Sequence, residues 1–424
     1  MDKKNNFQHI FRTLKYRNYR LFFSGQSISL IGTWIQMIAM GWLVYRLTNS
    51  AFMLGLVGFV GRLPTLFISP FAGVIADRWN KYKLLLLTQV LSMLQALAIT
   101  ILLFTDIVQI WHIIILSIAL GLINSFDTPV RQSFVIEMIE KKEDLGNAIA
   151  LNSAMVNGAR LFGPTIAGIL VGALGEGWCF LINTLSFIAI ITTLLMMKIP
   201  EKKIEKKPDG HLAELKEGFK YAYNFIPIRY ILFILSLVSL MGMPYQVLMP
   251  VFAKDIYHGG PNTLGFLMAA AGTGALIGAL YLASRKSVVG LGKNIAIATA
   301  IFGSGLVIFS LSKTFTLSII VLVITGFGMM VQMASSNTVL QTIVDDDKRG
   351  RIMSFYTMAF MGTVPFGNLL SGSLSGLIGV TNTVLAGGVC CILGAAFFAF
   401  KLPAIRKIIR PIYIEKQIIP VDIQ

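Results

Sequence analysis

Twelve long apolar runs follow one another along the chain, and no other feature constrains its fold as much. Each is about 20 residues or longer, the length that an α-helix needs to cross the hydrocarbon core of a bilayer. Only 13% of the residues are charged, about half the share of a soluble domain. The sequence therefore predicts an all-α integral membrane protein with twelve transmembrane helices. The runs cover residues 21–45, 52–75, 83–105, 110–136, 147–173, 177–198, 228–252, 262–283, 293–312, 316–343, 350–378 and 380–401.

The longest polar stretch divides these runs into two groups of six. We expect a six-helix bundle over residues 1–198, a cytoplasmic linker over 199–227, and a second six-helix bundle with a cytoplasmic tail over 228–424. Apolar residues at helical spacing within the linker predict a short amphipathic helix on the inner leaflet. Its apolar positions are Leu212, Leu215, Phe219 and Ala222.

The distribution of cations predicts the topology. Of the 36 Lys and Arg residues, 30 lie in loops and termini on the side of the N-terminus, and only Arg46, Lys254 and Lys313 lie on the opposite side. Cytoplasmic loops retain positive charge, so we expect both termini in the cytoplasm and a multi-pass protein of the cell (inner, cytoplasmic) membrane. Topology and anionic lipid then explain the net charge of +16, and no nucleic-acid partner is expected.

Catalytic and metal motifs are missing from the sequence. The three cysteines, two of them adjacent at Cys390 and Cys391, and the four scattered histidines have no metal-ligand spacing. No phosphate-binding loop, dinucleotide fingerprint or hydrolase motif occurs. We therefore expect no enzyme activity, no cofactor and no metal site.

An internal repeat relates the two groups of runs. Residues 146–168, GNAIALNSAMVNGARLFGPTIAG, align without a gap on residues 350–372, GRIMSFYTMAFMGTVPFGNLLSG. Four of the five identities are glycines, and such repeats are typical of transporter folds. The fifth and eleventh helices are therefore predicted to be equivalent members of two pseudo-symmetric bundles.

Two motifs carry a family resemblance. The loop GVIADRWNKYK at residues 73–83 resembles the signature Gly-x-Leu-Ala-Asp-Arg-x-Gly-Arg-Lys of the major facilitator superfamily, with differences at Ile75, Asn80 and Lys81. GARLFGPTIAG at residues 158–168 resembles the fifth-helix signature of antiporters in that superfamily. The whole chain is similar to the branch that contains enterobactin-type siderophore exporters and macrolide efflux proteins. Three further segments contribute to this resemblance: RNYRLFFSGQSISLIGTWI at residues 17–35, DTPVRQSFV at 127–135 and RGR at 349–351.

This resemblance implies the major facilitator fold, with a central cavity that opens alternately to each side. It implies a secondary active transporter, most often a proton-coupled exporter of amphipathic small molecules such as a drug, a macrolide or a siderophore. The expected partners are a small-molecule substrate, a proton or sodium ion and the lipid bilayer, and we expect a monomer. Two alternatives stay open: uptake of a small nutrient, and a non-transporting membrane sensor or enzyme.

Gly73, Asp77, Arg78 and Lys81 form the predicted gating loop. Asp77 follows the second run on the predicted cytoplasmic side, where a carboxylate stabilises the positive N-terminal end of a neighbouring helix. In the superfamily this carboxylate is understood to hold the cytoplasmic gate, so the resemblance implies that role for Asp77, with Arg78 and Lys81 as partners. The alternative is a loop carboxylate that only neutralises adjacent bases.

Gly158, Gly163, Pro164 and Gly168 form the predicted helix-five hinge. Pro164 cannot donate a hydrogen bond to the carbonyl of residue 160, so the helix is loosened there. Glycines on both sides permit close packing of helices that rock or slide. For any single glycine, tight packing alone is an equal alternative.

Charges inside apolar runs are costly and rarely face lipid, so each is a functional hypothesis. Arg62 and Arg160 lie near the predicted midplane and suit an anionic or hydrogen-bonding substrate. Asp127 is the one carboxylate well inside a run and is the candidate proton carrier. Arg131, four residues later, can pair with it as a structural or gating ion pair.

Neutral polar residues complete the predicted cavity. In the first half they are Gln26, Trp34 and Gln36, and in the second half Gln246 and Asn337. The runs of the second half carry no charge that lies as deep within a run, so we expect the coupling chemistry in the first half.

Overall fold

A computed structural model describes residues 12–68, 72, 79–198, 223–285 and 287–419. It describes the side chains of all these residues except six: Lys142, Asn157, Arg160, Leu161, Asp346 and Asp347. The amphipathic helix expected in the linker lies outside the described residues.

Every apolar run corresponds to helical chain. The first six helices are α1 (Arg17–Thr48), α2 (Ala51–Ile68), α3 (Lys81–Phe104), α4 (Ile110–Glu137), α5 (Leu145–Leu174) and α6 (Glu176–Leu195). The next six are α7 (Ile226–Ile256), α8 (Pro261–Ala283), α9 (Leu291–Leu311), α10 (Phe315–Ile343), α11 (residues 346–378) and α12 (Val380–Glu415).

Within the described residues there is no β-strand, and ten of these helices are long and apolar enough to span a membrane. The remaining two are α5, a 30-residue helix with Pro164 inside it, and α11, which is interrupted. The prediction of an all-α membrane fold is confirmed.

Two helices contain π-helical turns where the sequence predicts regular α-helix. In α7, π-helical turns occur at Val238–Gly242 and Phe252–Ile256, and α11 contains one at Met358–Gly362. The second part of α11, Val364–Ile378, begins with Pro365, which has no amide hydrogen to continue the preceding turn. An apolar composition indicates that a segment lies in lipid, but it does not indicate how many residues each helical turn contains. The apolar runs therefore could not predict these interruptions.

The last helix is longer than predicted. The apolar run ends at residue 401, whereas α12 continues to Glu415. Leu402, Ile405 and Ile409 form a buried stripe on this extension. The stripe packs in the core of the second unit, and this burial stabilises a helical extension whose exposed positions include Arg406, Lys407 and Arg410.

The described chain forms two compact units. The first consists of the described parts of Met1–Asn49, Val60–Lys207 and Gly259–Ala269, and the second of those of Ser50–Phe59, Pro208–His258 and Ala270–Gln424. Each unit has its own apolar core. The domain boundaries expected near residues 198 and 228 stay a prediction.

Each unit contains a crossing at which the Cα atom of one glycine lies close to that of another. In the first unit, a Cβ atom added to Gly168 would lie 2.6 Å from the Cα atom of Gly265. In the second unit, a Cβ atom added to Gly372 would lie 2.9 Å from the Cα atom of Gly55. Two backbones approach this closely only where neither residue has a side chain. Gly168 and Gly372 are matched by the internal repeat, so the repeat preserves a packing contact.

Candidate functional site

The buried carboxylate of Asp127 lies between α3 and α4. Its Oδ1 atom accepts hydrogen bonds from Thr88 Oγ1 at 3.0 Å and Gln89 Nε2 at 2.6 Å. Its Oδ2 atom lies 3.3 Å from Arg131 Nη2, one turn further along α4. The predicted pair of Asp127 and Arg131 is therefore present, with two additional donors from α3.

One cation and two neutral donors thus surround the carboxylate of Asp127. The side chain of Asp127 is 7% exposed, whereas that of Arg131 is 26% exposed. A proton that reaches Asp127 would cancel the attraction that holds Arg131. The arrangement can thus convert protonation of a buried acid into release of a partly exposed guanidinium.

A second polar cluster, here called the amide network, joins α1, α3 and α6. Gln36 Nε2 donates to Gln95 Oε1 at 3.1 Å, and Asn183 Nδ2 donates to Gln36 Oε1 at 2.5 Å. Gln95 also donates to the carbonyl of Leu116 on α4 at 3.2 Å, and Ser186 donates to Asn183. Gln36 is bonded to neighbouring helices of its own unit, and its predicted place in the cavity stays a prediction.

The glycines of α5 have different surroundings. A Cβ atom on Gly163 would collide with the side chain of Trp34 on α1, and Gly168 crosses Gly265. Gly158 has open space around it, with no atom within 4 Å of an added Cβ atom. Close packing therefore explains Gly163 and Gly168, while a hinge at Pro164 stays a prediction.

The other predicted cavity residues have different surroundings, and their place in a cavity stays a prediction. Arg62 lies at a turn within α2 and is exposed, and Gln26 on α1 is buried, with its Oε1 atom lacking a hydrogen-bond partner among the described residues. The side chain of Arg160 lies outside the described residues. In the second unit Gln246 is half-buried, and Asn337 accepts a hydrogen bond from Gln341 on its own helix at 2.6 Å.

Of the predicted gating loop, only Lys81 lies within the described residues, and Gly73, Asp77 and Arg78 do not. Lys81 Nζ lies 3.0 Å from Glu137 Oε1, at the end of α4. The pair joins the first turn of α3 to the last turn of α4.

A buried ionic cluster, here called the Asp144 cluster, fixes the start of α1. The carboxylate of Asp144, just before α5, lies 2.8 Å from Arg12 Nε and 2.7 Å from Lys15 Nζ, and it accepts a hydrogen bond from the Tyr16 hydroxyl at 2.7 Å. The hydrogen bonds from Lys15 and Tyr16 lower the pKa of Asp144, and the bond to Asp144 raises the pKa of Lys15. Burial and the same carboxylate raise the pKa of Tyr16.

Sequence reasoning missed the polar face of α3 and the Asp144 cluster. Thr88, Ser92 and Gln95 are all buried and recur at intervals of four and three residues, which is one face of a helix. That periodicity within an apolar run was a readable signal for both polar clusters. Asp144 had no such signal, because its partners are more than 120 residues away in sequence.

Within the part of the chain that the structure describes, no three His, Cys, Asp or Glu residues are grouped as a metal site requires.

A bundle of membrane-spanning helices with buried ionic and amide clusters is typical of a membrane transport protein. Residues 10–414 match the transmembrane secretion effector family. The chain belongs to this family, a branch of the major facilitator superfamily, and is a multi-pass membrane transporter rather than an enzyme.

Curated relatives cover nearly the whole chain. The Staphyloferrin A transporter of Staphylococcus aureus is 26% identical over 386 residues, 90% of this chain and 95% of that protein. Macrolide efflux protein A of Streptococcus pyogenes is 22% identical over 405 residues, 93% of this chain and 98% of that protein. Multidrug efflux pump Tap of Mycolicibacterium fortuitum is 24% identical, covering 89% and 93% of the two chains.

Solved structures share the fold. A bacterial homolog of the human lysosomal transporter Spinster has a TM-score of 0.73 at 14% identity, covering 92% of this chain and 98% of that one. A bacterial homologue of the iron transporter ferroportin has a TM-score of 0.70 at 15% identity, covering 91% and 98%. The predicted major facilitator fold is confirmed.

Proposed function

We propose that this transporter exports an amphipathic small molecule, such as a drug, a macrolide or a siderophore, in exchange for protons by alternating access. Relatives with efflux and siderophore names support the direction and the class of substrate. The observation that carries the coupling proposal is the buried carboxylate of Asp127, bonded to Thr88 and Gln89 and paired with Arg131.

In this proposal, Asp127 is charged in one state of the cycle and takes up a proton in the other. Protonation removes the charge that attracts Arg131. The Thr88 hydroxyl has a second acceptor within reach, the carbonyl of Leu85 at 2.8 Å, so it can turn away from the neutral acid and keep a hydrogen bond. The released guanidinium of Arg131 then becomes available to substrate or to another acid.

Substrate contact is proposed for Arg62 and Arg160 on α2 and α5. Arg62 is exposed within its helix, and none of the ion pairs among the described residues involves it. A guanidinium in this setting suits a substrate with carboxylate or catechol oxygens. A sodium ion is the alternative coupling ion.

Gating is proposed for the loop that contains Asp77, with both termini in the cytoplasm and the chain acting as a monomer in the cell membrane. The pair of Lys81 and Glu137 supports a gating role for this region. It joins the first turn of α3, which directly follows the loop, to the last turn of α4. Substituting Asp77 with Asn is expected to abolish transport without changing the amount of folded protein.

The test measures accumulation of three compounds in an efflux-deficient bacterium: a macrolide, a cationic dye and an anionic catechol, each with and without an uncoupler. Wild-type protein should lower accumulation of at least one compound, and the uncoupler should restore it. Asp127→Asn should slow export by roughly a hundredfold, the lower range for a positioned proton-transfer group. Asp106→Asn, the same change at an exposed loop residue, is the matched control and should export normally.

Export that persists in Asp127→Asn with unchanged sensitivity to the uncoupler would remove Asp127 from the coupling path. Higher accumulation in cells that express the wild-type protein would support the alternative of uptake. Unchanged accumulation of all three compounds, with folded protein present, would reject multidrug efflux.

A further inference from the structure

The final helix shows where the chain leaves the membrane. On α12, Leu393 and Phe400 are 64% and 78% exposed, as expected for lipid-facing side chains. Lys401 Nζ lies 5.2 Å from the ring centroid of Phe400 and 5.9 Å from that of Phe397. Aromatic rings and a lysine at one level are typical of the membrane interface. The hydrocarbon boundary of α12 therefore lies near Lys401.

Beyond that boundary the α12 extension has two faces. Leu402, Ile405 and Ile409 pack into the core of the second unit. Arg406, Lys407 and Arg410 are exposed on the other face, within about one and a half turns. They line a shallow cavity of about 620 Å³. The remaining lining residues are Pro403, Pro411, Ile414 and Glu415.

The extension is held in place at its end. Lys416 Nζ donates to the carbonyl of Thr342 at 2.8 Å and to that of Val344 at 3.1 Å. These carbonyls lie at the C-terminal end of α10, where a cation is favourable. Two contacts, the buried stripe and Lys416, thus fix the orientation of the basic face before any ligand arrives, which lowers the entropic cost of binding.

We propose that this cavity binds the headgroup of an anionic phospholipid in the leaflet on the side of the C-terminus. Three cations face one carboxylate in the lining, and none of the ion pairs among the described residues involves Arg406 or Lys407. Arginine forks match phosphate oxygens, and two of the three cations are arginines.

The distance of these cations from the hydrocarbon boundary indicates that the bound phosphate belongs to a lipid. Arg406 and Arg410 lie five and nine residues beyond Lys401, which at 1.5 Å per residue is about 8 and 14 Å. The headgroup layer occupies about the first 5–8 Å outside the hydrocarbon core, and long cationic side chains reach back toward it. Ile414 and the two prolines add apolar surface beside the cations.

The test is native mass spectrometry of the full-length purified protein, titrated with phosphatidylglycerol or phosphatidylcholine. The wild-type protein should retain phosphatidylglycerol and not phosphatidylcholine. Arg406→Gln/Lys407→Gln/Arg410→Gln should weaken retention by roughly a hundredfold, since each of the three cations that line the cavity contributes roughly a fivefold gain in affinity for a headgroup bound there. The matched control, Lys83→Gln/Lys141→Gln/Lys293→Gln, removes the same charge from three other exposed sites and should change retention by less than about fivefold.

A second variant separates geometry from charge. Arg406→Lys/Arg410→Lys keeps every charge but loses both guanidinium forks, and we expect an intermediate loss of roughly tenfold. Equal losses in the Gln triple variant and its matched control would overturn the proposal. Displacement of the lipid by equimolar inorganic phosphate would assign the cavity to a free anion and would also overturn it.

Discussion

The two halves of the molecule differ in what they bury within their helices. The first half contains an ion pair, Asp127 with Arg131, whereas a buried cluster of the second half consists of Gln332 and Ser336 on α10. The glycine crossings of the two compact units, in contrast, match. The internal repeat therefore preserves the close contacts between backbones and leaves the polar chemistry free to diverge.

The same contrast appears in two loops. Asp144, between α4 and α5, is buried and held by two cations and a tyrosine. Asp345, between α10 and α11, has a side chain that is 58% exposed in its pair with Lys348. One carboxylate anchors the start of α1, and the other is a surface pair of small energetic value.

The largest expected effect comes from leaving the Asp127 charge without its cation. Arg131→Leu should lower the free energy of unfolding by about 3 kcal/mol, because a buried carboxylate loses its partner. Adding Asp127→Asn to that variant should recover most of the loss. Gln332→Leu, in the second half, should cost about 1 kcal/mol or less. Denaturant unfolding of purified protein in detergent compares these three variants with the wild type.

Substitutions at the two glycine crossings should lower stability equally in both compact units. Gly168→Ala and Gly372→Ala should each cost about 1–3 kcal/mol, because an added methyl group meets backbone that cannot move aside. Gly158→Ala and Gly376→Ala, on α5 and α11, add a methyl group to open space and serve as controls. Thermal unfolding compares the four variants, and a large loss at only one crossing would contradict equivalence of the two helices.

A smaller effect is expected in the amide network. Asn183→Leu removes the donor to Gln36 and leaves that amide with one fewer partner, at a cost of about 1 kcal/mol. Gln341→Leu removes a comparable amide bond at an exposed site and should be nearly neutral. If both substitutions had the same effect on thermal unfolding, the network would have no special role in stability.

The smallest effect depends on pH. Because the pKa of Asp144 is held below its ordinary value of 3.8, the cluster stabilises the fold fully above that value and loses this contribution as pH falls through the lower native value. Asp144→Asn should therefore lower the unfolding temperature at about pH 7, and its difference from wild type should shrink below about pH 3.8. Asp345→Asn is the control, and no difference is expected at either pH.

Much of the fold was predictable because lipid imposes one rule on every span: about 20 apolar residues in a helix. The pair of Asp127 and Arg131 was predictable too, since its members lie four residues apart on one helix. Partners from other helices, such as Thr88, Gln89 and Asn183, were not predictable, because their contacts depend on which faces meet. For the same reason the membership of Gln36 in the amide network could not be predicted.

The π-helical turn at Met358–Gly362 has a consequence for how α11 can be mapped. One additional residue in a turn rotates all later side chains by about 100° relative to a regular α-helix. Cysteine labelling along α11 would therefore find its water-accessible stripe displaced to another face beyond residue 362, whereas the stripe on α5 would run straight. On one side of the turn, the ungapped repeat therefore aligns residues of α5 and α11 whose side chains point in different directions. The π-helical turn thus introduces a shift of one residue between the two aligned helices.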